Sequence, residues 1–143
     1  MSTPTHWKRI LVPTDFSEDS LTAVREARKL QQLTQAEVVL VYVTEPPFEG
    51  LRIQTGDLHR EIKTSAAKRM QALATEYFPG RTRVTTLVEE GRAGEVICDL
   101  ARTRGVDAII IASHGITAMK HFLLGSVAEK VVRHAPCSVL VVR

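Results

Sequence analysis

The chain has 143 residues, 44% of them hydrophobic and 24% charged, with a formal net charge of +3 at pH 7. These values are typical of a soluble globular protein, and the length suffices for one domain over residues 1–143 whose core needs no disulfide or metal. No apolar run reaches about 18 residues, and the first residues lack the apolar core of a signal peptide. We therefore expect a cytoplasmic protein with no membrane partner.

The basic residues are scattered along the chain rather than grouped. No run of five Lys or Arg occurs, and aromatic residues make up only 5% of the sequence, too few for a stacking platform. We therefore expect no nucleic acid partner. The two cysteines, Cys98 and Cys137, belong to no CxxC motif or Cys/His cluster. We expect them to be packing residues, and we expect no metal site built from protein ligands.

Apolar periodicity predicts an alternation of strands and helices along the chain. The predicted strands cover residues 8–13, 37–43, 83–88, 108–112 and 138–142. The predicted helices cover residues 18–33, 57–77, 94–104 and 126–135, and residues 44–56 form a long loop that contains two prolines and two glycines. Ser17 is the expected N-cap of the first helix, and Gly105 is expected to end the third.

Each predicted helix has an apolar stripe, formed in the first by Leu21, Ala23, Val24, Ala27 and Leu30 and in the third by Val96, Ile97, Leu100 and Ala101. The predicted stripe of the second helix consists of Leu58, Ile62, Ala66, Met70, Leu73 and Tyr77. The predicted stripe of the fourth helix consists of Val127, Val131, Val132 and Ala135. We expect these stripes to pack against the sheet.

The alternation predicts an α/β fold: a three-layer sandwich with a five-stranded parallel sheet, four helices on its two faces and right-handed crossovers. In such a Rossmann-like sheet the ligand crevice lies outside the carboxyl ends of two strands, where the strand order reverses. We expect the strand order 3-2-1-4-5, which places that crevice between the first and fourth strands. Asp15 would then face Ser113, His114 and Gly115.

The segment between the fourth strand and the fourth helix has the composition of a phosphate-binding loop. Its strand, AIIIA, is an apolar run typical of a strand buried on both faces, and Gly125-Ser126 stands at the start of the helix. Free backbone N–H groups and the helix dipole at that point favour phosphate. The segment therefore predicts a site for the phosphates of a nucleotide.

The same segment resembles the signature of the universal stress protein family, which is Gly-x-x-Gly, nine residues, then Gly followed by Ser or Thr. Here Ala112-Ser113-His114-Gly115 is followed by nine residues and by Gly125-Ser126. The opening ILVPTDFSEDS and the closing CSVLVV also resemble that family's first and last strands. The resemblance covers essentially the whole chain. It implies that ATP, ADP or AMP occupies the crevice, with or without Mg²⁺ or Mn²⁺.

The resemblance also implies which residues form the site. The adenine and ribose end would be lined by Pro13, Thr14, Asp15 and Val43. The ribose and proximal phosphates would be lined by Ile111, Ala112 and Gly115. The phosphates would meet backbone and hydroxyl groups of Gly125, Ser126 and Val127.

Three of these positions, Asp15, Ala112 and Ser126, and the neighbouring His114 have a second interpretation. Ser126 and Glu129 have the spacing of a capping box, which explains both residues without a ligand. Asp15 equally suits a turn or a helix cap, and His114 is either a phosphate donor or a loop residue in solvent. Ala112 stands where the family has glycine. Alanine there would hinder binding if the position needs a positive φ or a close ligand approach, and would fit if the backbone is an ordinary strand.

The resemblance implies a nucleotide-binding stress-response protein that acts as a dimeric sensor or regulator. The sequence contains no Walker phosphate loop and no nucleophile elbow, so we expect at most slow nucleotide hydrolysis and assign no catalytic residue. The apolar strand Ser138–Val142 is expected at a sheet edge, where pairing with a second copy would form a homodimer. One alternative is a member of the family that binds no nucleotide and acts as a dimeric interaction module. The other is an adenylate-handling enzyme of the same broad architecture.

Overall fold

The computed structural model describes residues 6–46, 56–80, 83–114 and 124–143. They form one five-stranded sheet in the order β3-β2-β1-β4-β5, and every pair of neighbouring strands is parallel. The strands are β1 (Arg9–Pro13), β2 (Glu37–Thr44), β3 (Val84–Glu90), β4 (Ala108–Ala112) and β5 (Ser138–Val142). The helices are α1 (Glu18–Thr34), α2 (Gly56–Tyr77), α3 (Ala93–Thr103) and α4 (Ser126–His134). The predicted fold class and strand order are confirmed.

The sheet separates two layers of helices, each with its own core. α1 and α2 cover one face and α3 and α4 cover the other. Successive strand residues alternate between these cores, as side chains do in a pleated sheet. In β4, Ile110 and Ala112 belong to the α1/α2 core, whereas Ile109 and Ile111 belong to the α3/α4 core. β4 is therefore buried on both faces, as its unbroken apolar sequence predicts.

The residues predicted to begin α1 and to end α3 do so in the structure. Ser17 is the N-cap of α1, and its side chain accepts a hydrogen bond from the backbone N–H of Ser20. Gly105 follows the C-cap of α3 with φ of +61°, a conformation that residues with a Cβ rarely adopt. These two predictions are confirmed.

Parts of two predicted apolar stripes are wrong. Leu58 and Ile62 are 55% and 48% exposed, because α2 has 22 residues and is longer than the strands it covers. The buried residues of α2 are Ala66, Met70, Leu73 and Ala74, all in its second half. Val132 of α4 is 46% exposed, because it lies about 100° around the helix from the buried Val131. Within the described residues, no helix combines the length and apolar character needed to cross a membrane.

Candidate functional site

A cavity of about 630 Å³ lies at the carboxyl ends of β1, β2 and β4, within the size range of small-molecule sites. Its walls are the turn after β1, the ends of β2 and β4, and the first turns of α3 and α4. Nine of the ten predicted site residues line it: Pro13, Thr14, Asp15, Val43, Ile111, Ala112, Gly125, Ser126 and Val127. Gly115 lies outside the described residues, as does most of the predicted loop 44–56. Contact of these residues with a nucleotide stays a prediction.

The wall formed by the turn after β1 is held together by its own hydrogen bonds. The Thr14 N–H donates to the carbonyl of Val41 at 2.9 Å, which extends the pairing of β1 with β2. The Thr14 and Ser20 hydroxyls are 2.9 Å apart, and the Ser20 hydroxyl also donates to the Ser17 carbonyl at 2.9 Å. The Ser20 hydroxyl has one proton and donates it to the Ser17 carbonyl, so in the contact with Thr14 the Thr14 hydroxyl is the donor. Thr14 is buried, so its hydroxyl is part of the scaffold of the site.

Asp15 shapes this turn with the same carboxylate that lines the cavity. Its Oδ1 accepts the Ser17 N–H at 3.0 Å and the Ser17 hydroxyl at 2.5 Å. This is an Asx turn, so the interpretation of Asp15 as a turn residue is confirmed. The turn role and the site role are compatible, because a carboxylate has two oxygens and about four lone-pair sites.

The wall formed by the start of α4 is built differently. Gly125 is the N-cap: its carbonyl accepts the Glu129 N–H at 2.9 Å, and its N–H donates to the Ser113 carbonyl at 2.7 Å. Gly125 has no side chain that could cap the helix, and no described side chain does so, so the predicted capping box is wrong. Ser126 is the first helical residue rather than the cap, and Glu129 turns along the helix to Arg133, with 2.9 Å between the charged atoms.

The uncapped start of α4 leaves backbone donors at the cavity. In any α-helix the N–H groups of the first turn have no carbonyl partner within the helix. In α4 these belong to Ser126, Val127 and Ala128, and all three residues line the cavity. Together with the positive end of the helix dipole, they form an arrangement that suits an anion.

Ala112 has the strand geometry that tolerates a side chain. It is the last residue of β4, pairs with Val142 of β5, and is not among the residues with positive φ. Its side chain belongs to the α1/α2 core, whereas α4 lies on the opposite face of the sheet. The methyl group therefore points away from the backbone donors of α4, and a positive φ at this position is excluded.

The charged residues that line the cavity are acidic. Asp15 and Glu45 contribute carboxylates, and the lining residues within the described ranges include neither Lys nor Arg. His114 also lines the cavity, and its Nδ1 lies 3.0 Å from the Ser113 hydroxyl, so the histidine is tied to the end of β4. The positive potential for a bound anion comes from the start of α4 rather than from a cationic side chain of this lining.

Sequence reasoning missed the contribution of α3. Ala93 and Ile97 line the cavity because α3 connects β3 at one edge of the sheet to β4 on the other side of β1. That connection has to cross the crevice, so the strand order itself contained the signal. Tyr42 and Glu45 were also missed, although they flank Val43 and Thr44 at the end of β2.

Neither cysteine belongs to this site. Cys98 is buried and Cys137 is partly buried within the α3/α4 core. Burial raises the pKa of both thiols, which keeps them protonated and weakly nucleophilic. The prediction that they are packing residues agrees with these surroundings.

Among the described residues, no three His, Cys, Asp or Glu side chains come together as a metal site.

The sequence matches the model of the universal stress protein family over residues 6–143. Universal stress protein MJ0531 of Methanocaldococcus jannaschii is 34% identical, over 96% of this chain and 82% of that protein. Universal stress protein MJ0577 of the same organism is 31% identical, over 96% of this chain and 95% of that protein. The chain belongs to the universal stress protein family.

Solved structures agree with the sequence matches. The structure of MJ0577 aligns with a TM-score of 0.86 at 33% identity, covering 96% of both chains. A universal stress protein crystallised in complex with cAMP aligns with a TM-score of 0.71 at 23% identity, covering 96% of this chain and 98% of that one. At that identity the second likeness establishes the fold alone.

Proposed function

We propose that this member of the universal stress protein family binds an adenine nucleotide in the crevice and acts as a nucleotide-dependent regulator. The observation that carries the proposal is the convergence of nine predicted site residues, from four separate segments, on one cavity of about 630 Å³. This volume suits a ligand of nucleotide size. ATP, ADP and AMP share the adenine and ribose that the crevice would hold, and they differ in the phosphates.

The phosphates would lie at the start of α4. Ser126, Val127 and Ala128 offer backbone N–H groups there, and Gly125 adds no side chain that would obstruct the approach. The Ser126 hydroxyl is available to a phosphate because it is not used as a helix cap. A divalent cation such as Mg²⁺ would reduce the repulsion between the phosphates and the carboxylates of Asp15 and Glu45.

The adenine and ribose would lie across the ends of β1 and β2. Val41, Val43 and Ile97 supply apolar surface there, and the Asp15 carboxylate supplies an acceptor for ribose hydroxyls. Apolar walls with a few placed polar groups are typical of small-molecule sites. A protein of the same fold was crystallised in complex with cAMP, which also contains adenine and ribose.

We further propose that turnover of the nucleotide is slow at most. Asp15 accepts two hydrogen bonds from Ser17, and His114 interacts through Nδ1 with Ser113. Both side chains thus have structural partners, whereas efficient hydrolysis needs a base placed to activate water. Release of phosphate from ATP, measured over hours with excess substrate, tests this. Many turnovers per minute would contradict it.

The direct test uses protein purified without added nucleotide. We expect mass spectrometry of the denatured protein to release an adenine nucleotide, and calorimetric titration with ATP and Mg²⁺ to give saturable binding with a Kd below about 1 mM. ADP, AMP and cAMP, titrated in parallel, report how many phosphates the site prefers. An empty protein that gives no binding heat at millimolar ATP would contradict the proposal.

The second candidate function is a family member that binds no nucleotide and acts as an interaction module. The acidic lining favours it, because Asp15 and Glu45 would both repel a polyphosphate. The same titration separates the two functions. The interaction module predicts no nucleotide binding with or without Mg²⁺, whereas a nucleotide site of this charge predicts ATP binding that depends on the cation.

We propose in addition that the protein forms a homodimer through β5. This strand is one edge of the sheet, and Leu140 at its centre is 37% exposed. An apolar edge strand is stabilised when it pairs with another strand, and a second copy supplies one by two-fold symmetry. Light scattering should show a dimer for the wild type and a monomer or aggregate for Leu140→Lys. Leu33→Lys, at an exposed leucine of α1, is the matched control and should stay dimeric.

A further inference from the structure

Phe16 lies next to the site in an unfavourable backbone conformation. Its φ is +65°, in the left-handed region that a residue with a bulky Cβ substituent rarely adopts. The other non-glycine residues with positive φ in the described chain are Gln35 and Arg83, and neither lines the crevice. A strained residue that immediately follows Asp15 requires a compensating interaction.

Two hydrogen bonds from backbone N–H groups form the turn around Phe16. The Phe16 N–H donates to the Thr14 hydroxyl at 3.1 Å, and the Ser17 N–H donates to Asp15 Oδ1 at 3.0 Å. The second bond spans Phe16, so rotation of its backbone into an ordinary region would separate Ser17 from the Asp15 carboxylate. The direction of that carboxylate therefore depends on Phe16.

The side chain of Phe16 has the interactions that hold this conformation. Its ring centroid lies 4.9 Å from that of Tyr42 with an interplanar angle of 49°. On α2, the Arg69 guanidinium carbon lies 3.9 Å from the Phe16 ring centroid, well within the range of a cation–π interaction. The ring also packs against the α1/α2 core. Phe16 does not itself line the cavity, whereas its neighbours Asp15 and Tyr42 do.

We propose that Phe16 is a positioning residue for the crevice. Its ring, held by Tyr42 and Arg69, keeps the turn after β1 in the left-handed conformation that directs the Asp15 carboxylate to the ligand. Through Arg69 this arrangement connects the second half of α2 to the site. The inference rests on the proposed nucleotide site, and it adds a residue whose effect on binding passes through the backbone.

The comparison of Phe16→Ala with Phe16→Gly isolates the backbone effect. Both variants lose the ring, but only alanine keeps the Cβ that disfavours a positive φ. We expect Phe16→Ala to bind ATP about five- to thirty-fold more weakly than the wild type, since the competent turn becomes a minor state. Phe16→Gly should recover most of that loss. Thermal unfolding should show both variants destabilised by loss of the ring, so stability alone would not produce the difference in affinity.

A measurement without nucleotide tests the turn directly. In amide hydrogen exchange of the free protein, the Ser17 N–H should lose protection in Phe16→Ala and keep more of it in Phe16→Gly. A wild-type protein that binds no nucleotide would overturn the proposed function, and the exchange data would still decide whether Phe16 holds the turn. Equal Ser17 protection in wild type and Phe16→Ala would overturn the positioning role, as would equal ATP affinity in a wild type that binds.

Arg69 provides a second variant that leaves the turn sequence intact. Arg69→Ala should weaken ATP binding about two- to five-fold, the range of an exposed cation–π interaction expressed as affinity. The matched control is Arg28→Ala, because Arg28 lies 5.9 Å from the Phe78 ring centroid, and neither residue lines the crevice. Arg28→Ala should leave the affinity unchanged. Equal effects of the two substitutions would overturn the connection from α2 to the site.

Discussion

The two walls of the crevice differ in where their polar groups find partners. In the turn after β1, Asp15 is hydrogen-bonded to Ser17, and Thr14 and Ser17 are both hydrogen-bonded to Ser20. At the start of α4, no side chain of the described residues caps the helix. The polar groups of the first wall are hydrogen-bonded within the protein, whereas the second wall has backbone N–H donors at the cavity.

This difference indicates which part of a ligand each wall would bind. The internally bonded wall fixes the position of one carboxylate, which suits an acceptor for hydroxyl groups. The uncapped wall presents N–H donors that no described side chain caps, which suits an anion. The residues that look alike in the sequence, a serine at each helix start, therefore have different roles: Ser17 is a cap and Ser126 is not.

The largest effect is expected from a bulky side chain introduced at the uncapped start of α4. Gly125→Val should abolish nucleotide binding, because a branched side chain would occupy the approach to the donors of α4. The Gly125 backbone, with φ of −57° and ψ of 155°, is open to any residue, so the protein should still fold. Calorimetry and circular dichroism check the two expectations. Gly56→Val is the control, since a Cβ there meets no atom within 4 Å. Unchanged ATP affinity in Gly125→Val would place the phosphates elsewhere.

On the other wall, the Asp15 carboxylate can be removed or neutralised. Asp15→Ala should weaken ATP binding about ten- to 150-fold, the effect of losing a hydrogen bond to a charged group of about 1.5–3 kcal/mol. Asp15→Asn keeps an acceptor for the Ser17 N–H and should lose less than about ten-fold. Calorimetry at fixed Mg²⁺ measures both. If Asp15→Ala binds as the wild type does, the carboxylate serves the turn alone.

Paired serine substitutions sharpen the contrast between the two helix starts. Ser17→Ala should lower the free energy of unfolding by about 1 kcal/mol, because α1 loses its cap. Ser126→Ala should change stability by less than about 0.5 kcal/mol and weaken ATP binding about two- to ten-fold, the range for a neutral hydrogen bond. Urea unfolding and calorimetry on both variants give the full comparison. A large stability loss in Ser126→Ala would mean that its hydroxyl caps α4 after all.

The smallest expected effect concerns the acidic lining. Glu45→Gln should strengthen ATP binding about two- to five-fold at low salt, since one charge that repels the phosphates is removed. The gain should shrink at high salt, where exposed charges are screened. Glu61→Gln, on the exposed face of α2, makes the same change in net charge and should have no effect. Equal gains in the two variants would show that only the net charge matters.

Predictions that depend only on residues close together in the chain were reliable. The β-branched run in β4 and the Ser17 cap depend on neighbouring residues only, so the sequence alone predicts them. The capping box failed because its spacing, Ser126 to Glu129, is also compatible with a helix that begins one residue earlier, at Ser126 itself. Gly125 takes the cap position, and Glu129 is drawn to Arg133 one turn on. The prediction that Leu58 and Ile62 are buried was wrong, because local periodicity does not show how far a helix extends beyond the sheet.

The sequence by itself determined the α/β alternation, the strand order and nine of the residues that meet at the crevice, because these follow from periodicity, chain direction and a family pattern. Only the tertiary structure decided the orientation of individual groups. It placed the Ala112 methyl on the α1/α2 face, brought α3 to the cavity, and put Phe16 in a left-handed conformation under Arg69. Each depends on which face a side chain takes when distant segments pack, and that choice is made by the whole core.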